Sequence, residues 1–252
     1  MNIGIILASG LGKRMKARKN KTLVTLGEKP LIFYALKTFE KSKNINRIVL
    51  VVVEKDKTVF KAIVKKYNFK KILGIIPGGK ERQDSSYAGI EFIDDSFANK
   101  NKAGLILLFH NGANPFVTQK EIQACILGAK KRGACAVAHK AKDTIREVNP
   151  HGISVQVLNR IKLWNMQTPQ AIKFALAKRA FRKANAINYI GTDEISLVER
   201  LGKKVKIIEA SKNNFKLTTP LDLELAKLIM KNNFRNKSLK LKKITCKNIN
   251  PE

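Results

Sequence analysis

The sequence has no apolar stretch long enough to cross a membrane. No window approaches the roughly eighteen consecutive apolar residues of a membrane span. The first apolar run, Ile3 to Leu7, is too short for the core of a secretory signal and has no basic stretch before it. These absences predict a cytoplasmic protein with no membrane partner.

Cysteine and histidine are scarce, with three of each. Cys125, Cys135 and Cys246 have no metal-ligand spacing, and an odd number without a leader predicts reduced thiols. The histidines form no metal-ligand group, and His110 is expected to be a structural residue at a strand end. The chain also offers no plausible Ser/His/Asp or Cys/His set, so it lacks an evident covalent catalyst.

Acidic residues are few: the chain has 19 Asp and Glu against 50 Lys and Arg, which gives a formal net charge of +31. Such an excess raises the hypothesis of a nucleic-acid-binding module. The lysines are scattered along nearly every segment, however, and aromatic residues do not alternate with them as a base-stacking platform requires. Nucleic acid is therefore not favoured as a partner, and the densest basic run, in residues 231–252, is interpreted as a tail.

The chain does contain recurring apolar, β-branched runs, and segments with helical spacing separate them. This alternation, with 44% apolar residues, predicts an α/β fold: a Rossmann-like domain over residues 1–230 with a mostly parallel sheet and helices on both faces. A protruding β-arm is expected at about 140–166. The spacing further predicts strands at Ile3–Leu7, Ile48–Val53, Ile72–Ile76, Leu105–Phe109, Ala134–Ala138 and Val205–Ile208, and helices at Pro30–Lys41, Lys57–Tyr67, Ala171–Ala184, Asp193–Leu201 and from Pro220.

A glycine loop follows the first predicted strand. Gly10 and Gly12 allow a tight turn that points backbone N–H groups inward, and Arg14 and Lys21 add positive charge, so the loop is typical of a phosphate cradle. A dinucleotide fingerprint would need a third glycine at Met15, and a Walker loop would need a Gly-Lys-Ser/Thr ending. A Gly-rich turn that merely carries basic residues is the alternative.

The glycine loop is the first of five motif segments that follow one another along the chain. Together the five segments resemble the sugar-phosphate cytidylyltransferases, especially the group acting on 2-C-methyl-D-erythritol 4-phosphate. The likeness runs from about Ile3 to about Met230. The segments are Gly10-Leu11-Gly12-Lys13-Arg14-Met15, Gly79-Lys80-Glu81-Arg82-Gln83-Asp84-Ser85, Gln167-Thr168-Pro169-Gln170, Thr192-Asp193-Glu194 and Lys216-Leu217-Thr218-Thr219-Pro220-Leu221-Asp222-Leu223.

The resemblance implies an enzyme that joins CTP to a sugar-alcohol phosphate, with Mg²⁺ as cofactor. An acceptor phosphate oxygen would attack the α-phosphorus in line, releasing pyrophosphate and forming 4-diphosphocytidyl-2-C-methyl-D-erythritol in non-mevalonate isoprenoid biosynthesis. Arg14 and Lys21 match the pair that stabilises the transition state. Ala8, Ser9, Gly10, Gly12, Gly79, Arg82 and Ser85 match the nucleotide site. Capping of a helix is the alternative role for Ser85.

Arg160 and Lys216 match residues that hold the acceptor's phosphate and orient its attack. Thr144, Thr168 and Thr192 match further acceptor contacts, although structural hydroxyls are the alternative. In the family, the residue at Arg160 reaches the neighbouring subunit's site from the β-arm, so the resemblance implies a homodimer. Leu163 and Trp164 before the Thr-Pro-Gln motif favour the methylerythritol group over enzymes acting on ribitol 5-phosphate.

The sequence departs from the family where it reads His110-Asn111-Gly112-Ala113-Asn114-Pro115. The usual residues at Asn111 and Asn114 are aspartate, near the metal and substrate, and arginine. Asparagine brings no negative charge to a hard cation, so metal and substrate binding could weaken. Two alternatives stay open beside the main prediction: a ribitol-5-phosphate cytidylyltransferase, and a CTP-binding homologue with reduced or lost catalysis.

Overall fold

A computed structural model describes residues 1–10 and 20–232. Its strands are β1 (Asn2–Ala8), β2 (Thr25–Leu26), β3 (Lys29–Pro30), β4 (Arg47–Val52), β5 (Ile72–Pro77), β6 (Ile106–Asn111), β7 (Ala134–Lys140), β8 (Arg146–Val148), β9 (Ser154–Val157), β10 (Trp164–Lys173) and β11 (Lys206–Glu209). Its helices are α1 (Leu31–Lys41), α2 (Lys57–Lys66), α3 (Arg82–Ser96), α4 (Gln119–Arg132), α5 (Phe174–Ala186) and α6 (Glu194–Glu199). Residues 220–232 are also helical.

Seven strands form one sheet in the order β11-β7-β10-β6-β1-β4-β5. Neighbouring strands are parallel except that β10 runs antiparallel to both β6 and β7. The predicted α/β class and mostly parallel sheet are confirmed. Because the carboxyl ends of β1, β4, β5 and β6 lie at one edge, the loops that follow them meet there.

Both faces of the sheet are buried, which explains the near-continuous apolar runs. Ile6 and Ala8 of β1 pack on one side, with Leu36 and Phe39 of α1. Successive side chains alternate, so Ile3, Ile5 and Leu7 pack on the other side with residues of α3 and α5. The helices therefore cover the sheet on both faces and leave its carboxyl edge open.

One predicted helix start is wrong. Residues Ala171 to Lys173 complete β10, and α5 begins at Phe174. Ala171 pairs with Leu108 on one side and Cys135 on the other, so this short apolar run lies in the middle of the sheet. A short apolar run does not distinguish a buried strand from a helix by its pattern alone.

The predicted arm corresponds to an antiparallel pair, β8 and β9, separate from the main sheet. The limits of the domain at 1–230 and of the basic tail stay predictions, and residues 233–252 lie outside the described part of the chain. Across residues 1–10 and 20–232, no helix combines the length and apolarity that crossing a membrane requires.

Candidate functional site

Two pockets lie side by side at the carboxyl edge of the sheet. The first pocket, of about 150 Å³, is lined by Leu7, Ser9, Gly10, Lys21, Thr22, Gly79, Lys80, Glu81, Arg82, Ser85, Asn111, Ala113 and Lys216. The second pocket, of about 330 Å³, is lined by Arg82, Asn111, Met166, Gln167, Thr168, Gln170, Thr192, Asp193 and Lys216. Arg82, Asn111 and Lys216 line both. The fold thus brings together segments of all five motifs.

Lys21 is held at the first pocket through its buried neighbour Asn20. The Asn20 amide donates to the Ala8 carbonyl (2.7 Å) and to Asp56 Oδ2 (3.2 Å), and its oxygen accepts from the Thr22 amide (3.1 Å) and hydroxyl (2.9 Å). A short 3₁₀ turn, Lys21–Leu23, follows. The lysine is therefore fixed beside the end of β1. Ala8 itself is buried and does not line the pocket.

The loop after β5 packs tightly on the loop after β1. A Cβ atom at Gly78 would lie 2.6 Å from Ser85 Oγ and 2.7 Å from Ser9 Cβ, so only glycine fits. Ser85 Oγ hydrogen-bonds Ser9 Oγ (2.9 Å) and accepts from the Gly79 amide (3.2 Å). The two loops consequently form one wall of the first pocket.

Ser85 does not cap α3. The helix begins at Arg82, with Glu81 as its N-cap and Asp84 completing a capping box. The Ser85 hydroxyl instead donates to the carbonyl of the N-cap residue Glu81 (3.2 Å) and links the two loops. The alternative role assigned to Ser85 from the sequence is therefore wrong.

Arg82 stands between the two pockets, held by side chains from distant elements. Its Nη2 donates to Glu194 Oε2 (2.8 Å), and its Nη1 donates to Asn111 Oδ1. The Glu194 side chain is 2% exposed, and Ser86 Oγ donates to its other oxygen (2.6 Å). A bidentate cation with a fixed orientation suits phosphate recognition.

Thr168 lies at the floor of the second pocket, and its hydroxyl is committed inside the protein. Burial lowers the pKa of His110 to about 4, although the hydrogen bond to the Asn114 carbonyl acts in the opposite direction. The ring is therefore neutral at pH 7. With His110 Nε2 donating to that carbonyl (3.1 Å), Nδ1 accepts from Thr168 Oγ1 (2.9 Å). The hydroxyl also accepts from the Asn111 amide (3.2 Å). His110 is thus structural, as predicted.

The two asparagines that depart from the family have different surroundings. Asn111 ends β6 at the border of both pockets, and its side-chain oxygen accepts from Arg82. Asn114 is fully buried, and its amide donates to Gln167 Oε1 (3.2 Å) and Asn214 Oδ1 (3.3 Å). Both side chains therefore take part in hydrogen-bond networks, although Asn114 Oδ1 finds no partner among the described residues.

The side chains at these pockets do not fit a protein cage for Mg²⁺. In the described ranges no three His, Cys, Asp or Glu side chains are grouped to hold a metal ion. Glu81 and Asp193 line the pockets but cap α3 and α6, and the Asn111 oxygen is turned to Arg82. Mg²⁺ in proteins prefers carboxylates together with substrate phosphates, and no set of protein ligands for it is assembled here.

Several residues identified from the sequence are not at these pockets. Thr144 and Arg160 are exposed on the arm segment, where Arg160 Nη1 donates to the Lys142 carbonyl (2.9 Å). Gly12 and Arg14 lie outside the described residues. Thr192, in contrast, is exposed at the rim of the second pocket.

Sequence reasoning missed the buried polar residues behind the pockets. Glu194 and Gln170 lie in the quoted motifs without a predicted role, and no role is predicted for Glu121 or Asn214 either. Gln170 Nε2 donates to Asp193 Oδ2 (2.8 Å) and its oxygen accepts from the Ile195 amide (3.2 Å), which positions the start of α6. The available signal was that Glu194 and Gln170 lie inside quoted motifs and Asn214 lies two residues before one, whereas Glu121 lies in none of them.

Comparison with known proteins agrees with this geometry. The sequence model of the 2-C-methyl-D-erythritol 4-phosphate cytidylyltransferase family, IspD, matches residues 3–232. A curated protein of that name from Geobacillus thermodenitrificans is 41% identical over 227 residues, covering 90% of this chain and 95% of the relative.

Solved structures show the same likeness. The 4-diphosphocytidyl-2C-methyl-D-erythritol synthase of Anaerococcus prevotii superposes with a TM-score of 0.79 at 27% identity, covering 92% of this chain and 96% of that one. The 2-C-methyl-D-erythritol 4-phosphate cytidylyltransferase of Francisella tularensis gives 0.75 at 28% identity, covering 90% and 98%.

Proposed function

This chain belongs to the 2-C-methyl-D-erythritol 4-phosphate cytidylyltransferase family, and we propose that it performs the family's reaction across the two pockets described above. It is a nucleotidyltransferase that joins the cytidylyl group of CTP to 2-C-methyl-D-erythritol 4-phosphate in isoprenoid biosynthesis. The family match favours this substrate over ribitol 5-phosphate. The observation that carries the assignment of the site is that Arg82, Asn111 and Lys216 line both pockets.

The first pocket suits the nucleotide. Lys21, Lys80, Arg82 and Lys216 line it, and Glu81 is the one carboxylate among its described lining residues. Four cations attract a triphosphate, and the glycine loops after β1 and β5 let backbone groups approach it closely. We assign CTP to this pocket, with Ser9, Gly10, Gly79 and Ser85 as its wall.

The second pocket suits the acceptor, because it shares cations with the first and adds polar side chains such as Thr192 and Gln167. An acceptor phosphate there is already ionised, so its oxygen attacks the α-phosphorus without a general base. Lys21, Arg82 and Lys216 neutralise charge on the phosphoryl oxygens as pyrophosphate leaves. The work of the protein is to position two anions side by side.

Mg²⁺ remains the expected cofactor. Since the side chains form no cage for it, we propose that the phosphate oxygens of CTP supply most of its ligands. When bound, the ion would add positive charge to that of Lys21, Lys80, Arg82 and Lys216 in the first pocket.

The test of the function is pyrophosphate release by purified protein with CTP and Mg²⁺. We expect release with 2-C-methyl-D-erythritol 4-phosphate and none with ribitol 5-phosphate or without an acceptor. Comparable release with ribitol 5-phosphate would support the rival substrate. If no acceptor gives pyrophosphate release in protein that still binds CTP, the result would support a homologue that has lost catalysis.

We also propose that the chain forms a homodimer through the arm. Val155 and Val157 share one face of the β8–β9 ladder and are 61% and 53% exposed, an apolar patch of the kind that partners cover. In such a dimer, Thr144 and Arg160 would reach the second pocket of the neighbouring subunit. This accounts for their distance from the pockets within one chain.

Replacing Val155 with lysine is expected to convert the protein to monomers in sedimentation velocity and to lower turnover at least tenfold, because charge disfavours burial of the patch. Val59→Lys is the matched control, since Val59 is also exposed, at 47%, but lies on α2 away from the arm. A Val155→Lys protein that sediments and turns over like the Val59→Lys control would refute the arm interface.

A further inference from the structure

The segment that carries Lys216 depends on one buried side chain, Asn214. Residues 210–218 form neither helix nor strand, so their own backbone pattern does not fix them. The Asn214 side chain is fully buried; its amide donates to Glu121 Oε1 (3.1 Å) and to the Thr168 carbonyl (2.9 Å). Its oxygen accepts from Asn114 Nδ2 (3.3 Å). The amide thus joins α4, the Thr-Pro-Gln motif and the loop after β6.

The Glu121 side chain that accepts from Asn214 is itself held in place by hydrogen bonds at the start of α4. It lies in the first turn of α4, is 4% exposed, and its Oε2 accepts from the Thr118 amide (2.7 Å) and hydroxyl (2.8 Å) in a capping box. Its Oε1 accepts from the Ser211 amide (2.8 Å) as well as from Asn214. One oxygen therefore stabilises the helix start, and the other holds the Lys216 segment.

The backbone is fixed on both sides of Lys216. Asn214 lies two residues before it, and the Asn214 carbonyl accepts from His139 Nε2 (3.1 Å). Leu217, directly after it, is fully buried and donates its amide proton to the Ala113 carbonyl (2.9 Å). Phe215 packs its ring against Phe116 at 6.1 Å between centroids. Lys216 is therefore presented to both pockets from an anchored peptide.

We propose that Asn214 is a positioning residue of the transfer reaction: by tying its segment to the Thr168 carbonyl and to Glu121, it holds Lys216 where that lysine lines both pockets. This inference rests on the proposed function. Only asparagine matches the surroundings: it offers two donors to two oxygens and one acceptor to Asn114. Aspartate would place a carboxylate beside Glu121, and alanine would leave the buried Glu121 and Thr168 oxygens short of a donor.

The variant Asn214→Ala tests the proposal, with Asn213→Ala as the matched control because Asn213 is exposed next to it. We expect kcat/KM for the acceptor to fall about 10- to 100-fold in Asn214→Ala, since small displacements of a positioned group cost that much. Asn213→Ala should stay within twofold of the unmodified protein. Asn214→Ser, which keeps one donor, should recover part of the loss.

A double-mutant cycle with Lys216→Ala distinguishes positioning of Lys216 by Asn214 from a purely structural role of Asn214. If Asn214 acts through Lys216, adding Asn214→Ala to Lys216→Ala should lower kcat less than threefold further. Full multiplication of the two losses, or an unimpaired Asn214→Ala enzyme, would overturn the proposal. If Asn214→Ala does not fold, the same cycle is run with Asn214→Ser. A lack of turnover in the unmodified protein would instead refute the proposed function.

Discussion

Replacing Lys21 with alanine is expected to lower kcat by about two to three orders of magnitude, the usual loss when one positioned transition-state donor is removed. Lys21 lines the first pocket, and the buried Asn20 fixes its backbone at the end of β1. Its charge faces the region assigned to the triphosphate. Because Asn20 and Thr22 keep their hydrogen bonds in the variant, the fold should be unchanged.

The measurement is steady-state pyrophosphate release together with a thermal melt. Lys120→Ala is the matched control, because Lys120 is exposed on α4 and lines neither pocket. Lys120→Ala should keep full activity, and both variants should melt as the unmodified protein does. Full turnover in Lys21→Ala would contradict its role. Arg14→Ala is expected to be equally impaired from the sequence motif, although Arg14 lies outside the described residues.

Replacing Arg82 with alanine should impair both stability and activity. Among the described side chains, the Glu194 carboxylate, which is 2% exposed, would retain only the Ser86 hydroxyl as a donor. Breaking a buried ion pair costs about 3–5 kcal/mol; the Arg82 side chain is 30% exposed, so solvent screening places the expected loss near or below the lower end. Both pockets would also lose the positive charge of Arg82, which lines both of them as Lys216 does.

Urea denaturation and CTP binding test this prediction, and a second substitution separates its two parts. Adding Glu194→Gln to Arg82→Ala removes the buried charge, so most of the lost stability should return. CTP affinity and turnover should stay at least tenfold reduced in that double variant. If activity returns along with stability, Arg82 acts only as a structural partner of Glu194. An Arg82→Ala protein with full stability would contradict the ion-pair argument.

The two asparagines illustrate how a departure from a family pattern is accommodated. Asn111 accepts a hydrogen bond from Arg82, so within residues 1–10 and 20–232 Glu194 is the carboxylate that pairs with the guanidinium. The Asn114 amide donates to the neutral side chains of Gln167 and Asn214. Both positions thus remain structurally integrated without the aspartate and arginine that usually occupy them.

Much of the fold was predictable from the sequence, and so were many of the residues that line the two candidate pockets. The strands at Ile3–Leu7, Ile72–Ile76 and Ala134–Ala138 and the helix ending at Lys41 were placed within two residues. Apolar periodicity and turn residues are local properties, so they were readable directly. The motif segments were also readable, because their order and spacing lie in the chain itself.

The sequence by itself determined the α/β class, the alternation of strands and helices over most of the chain, and the glycine loops that follow β1 and β5. Tertiary structure alone decided that β10 runs antiparallel between β6 and β7, that Arg82 meets Glu194 across 112 residues, and that Asn214 meets Glu121 across 93. Local periodicity indicates strands and helices, although a short apolar run such as the one at Ala171 fits either. Which distant segments become neighbours depends on the order of strands in the sheet, and this brings buried polar partners together only once the core has formed.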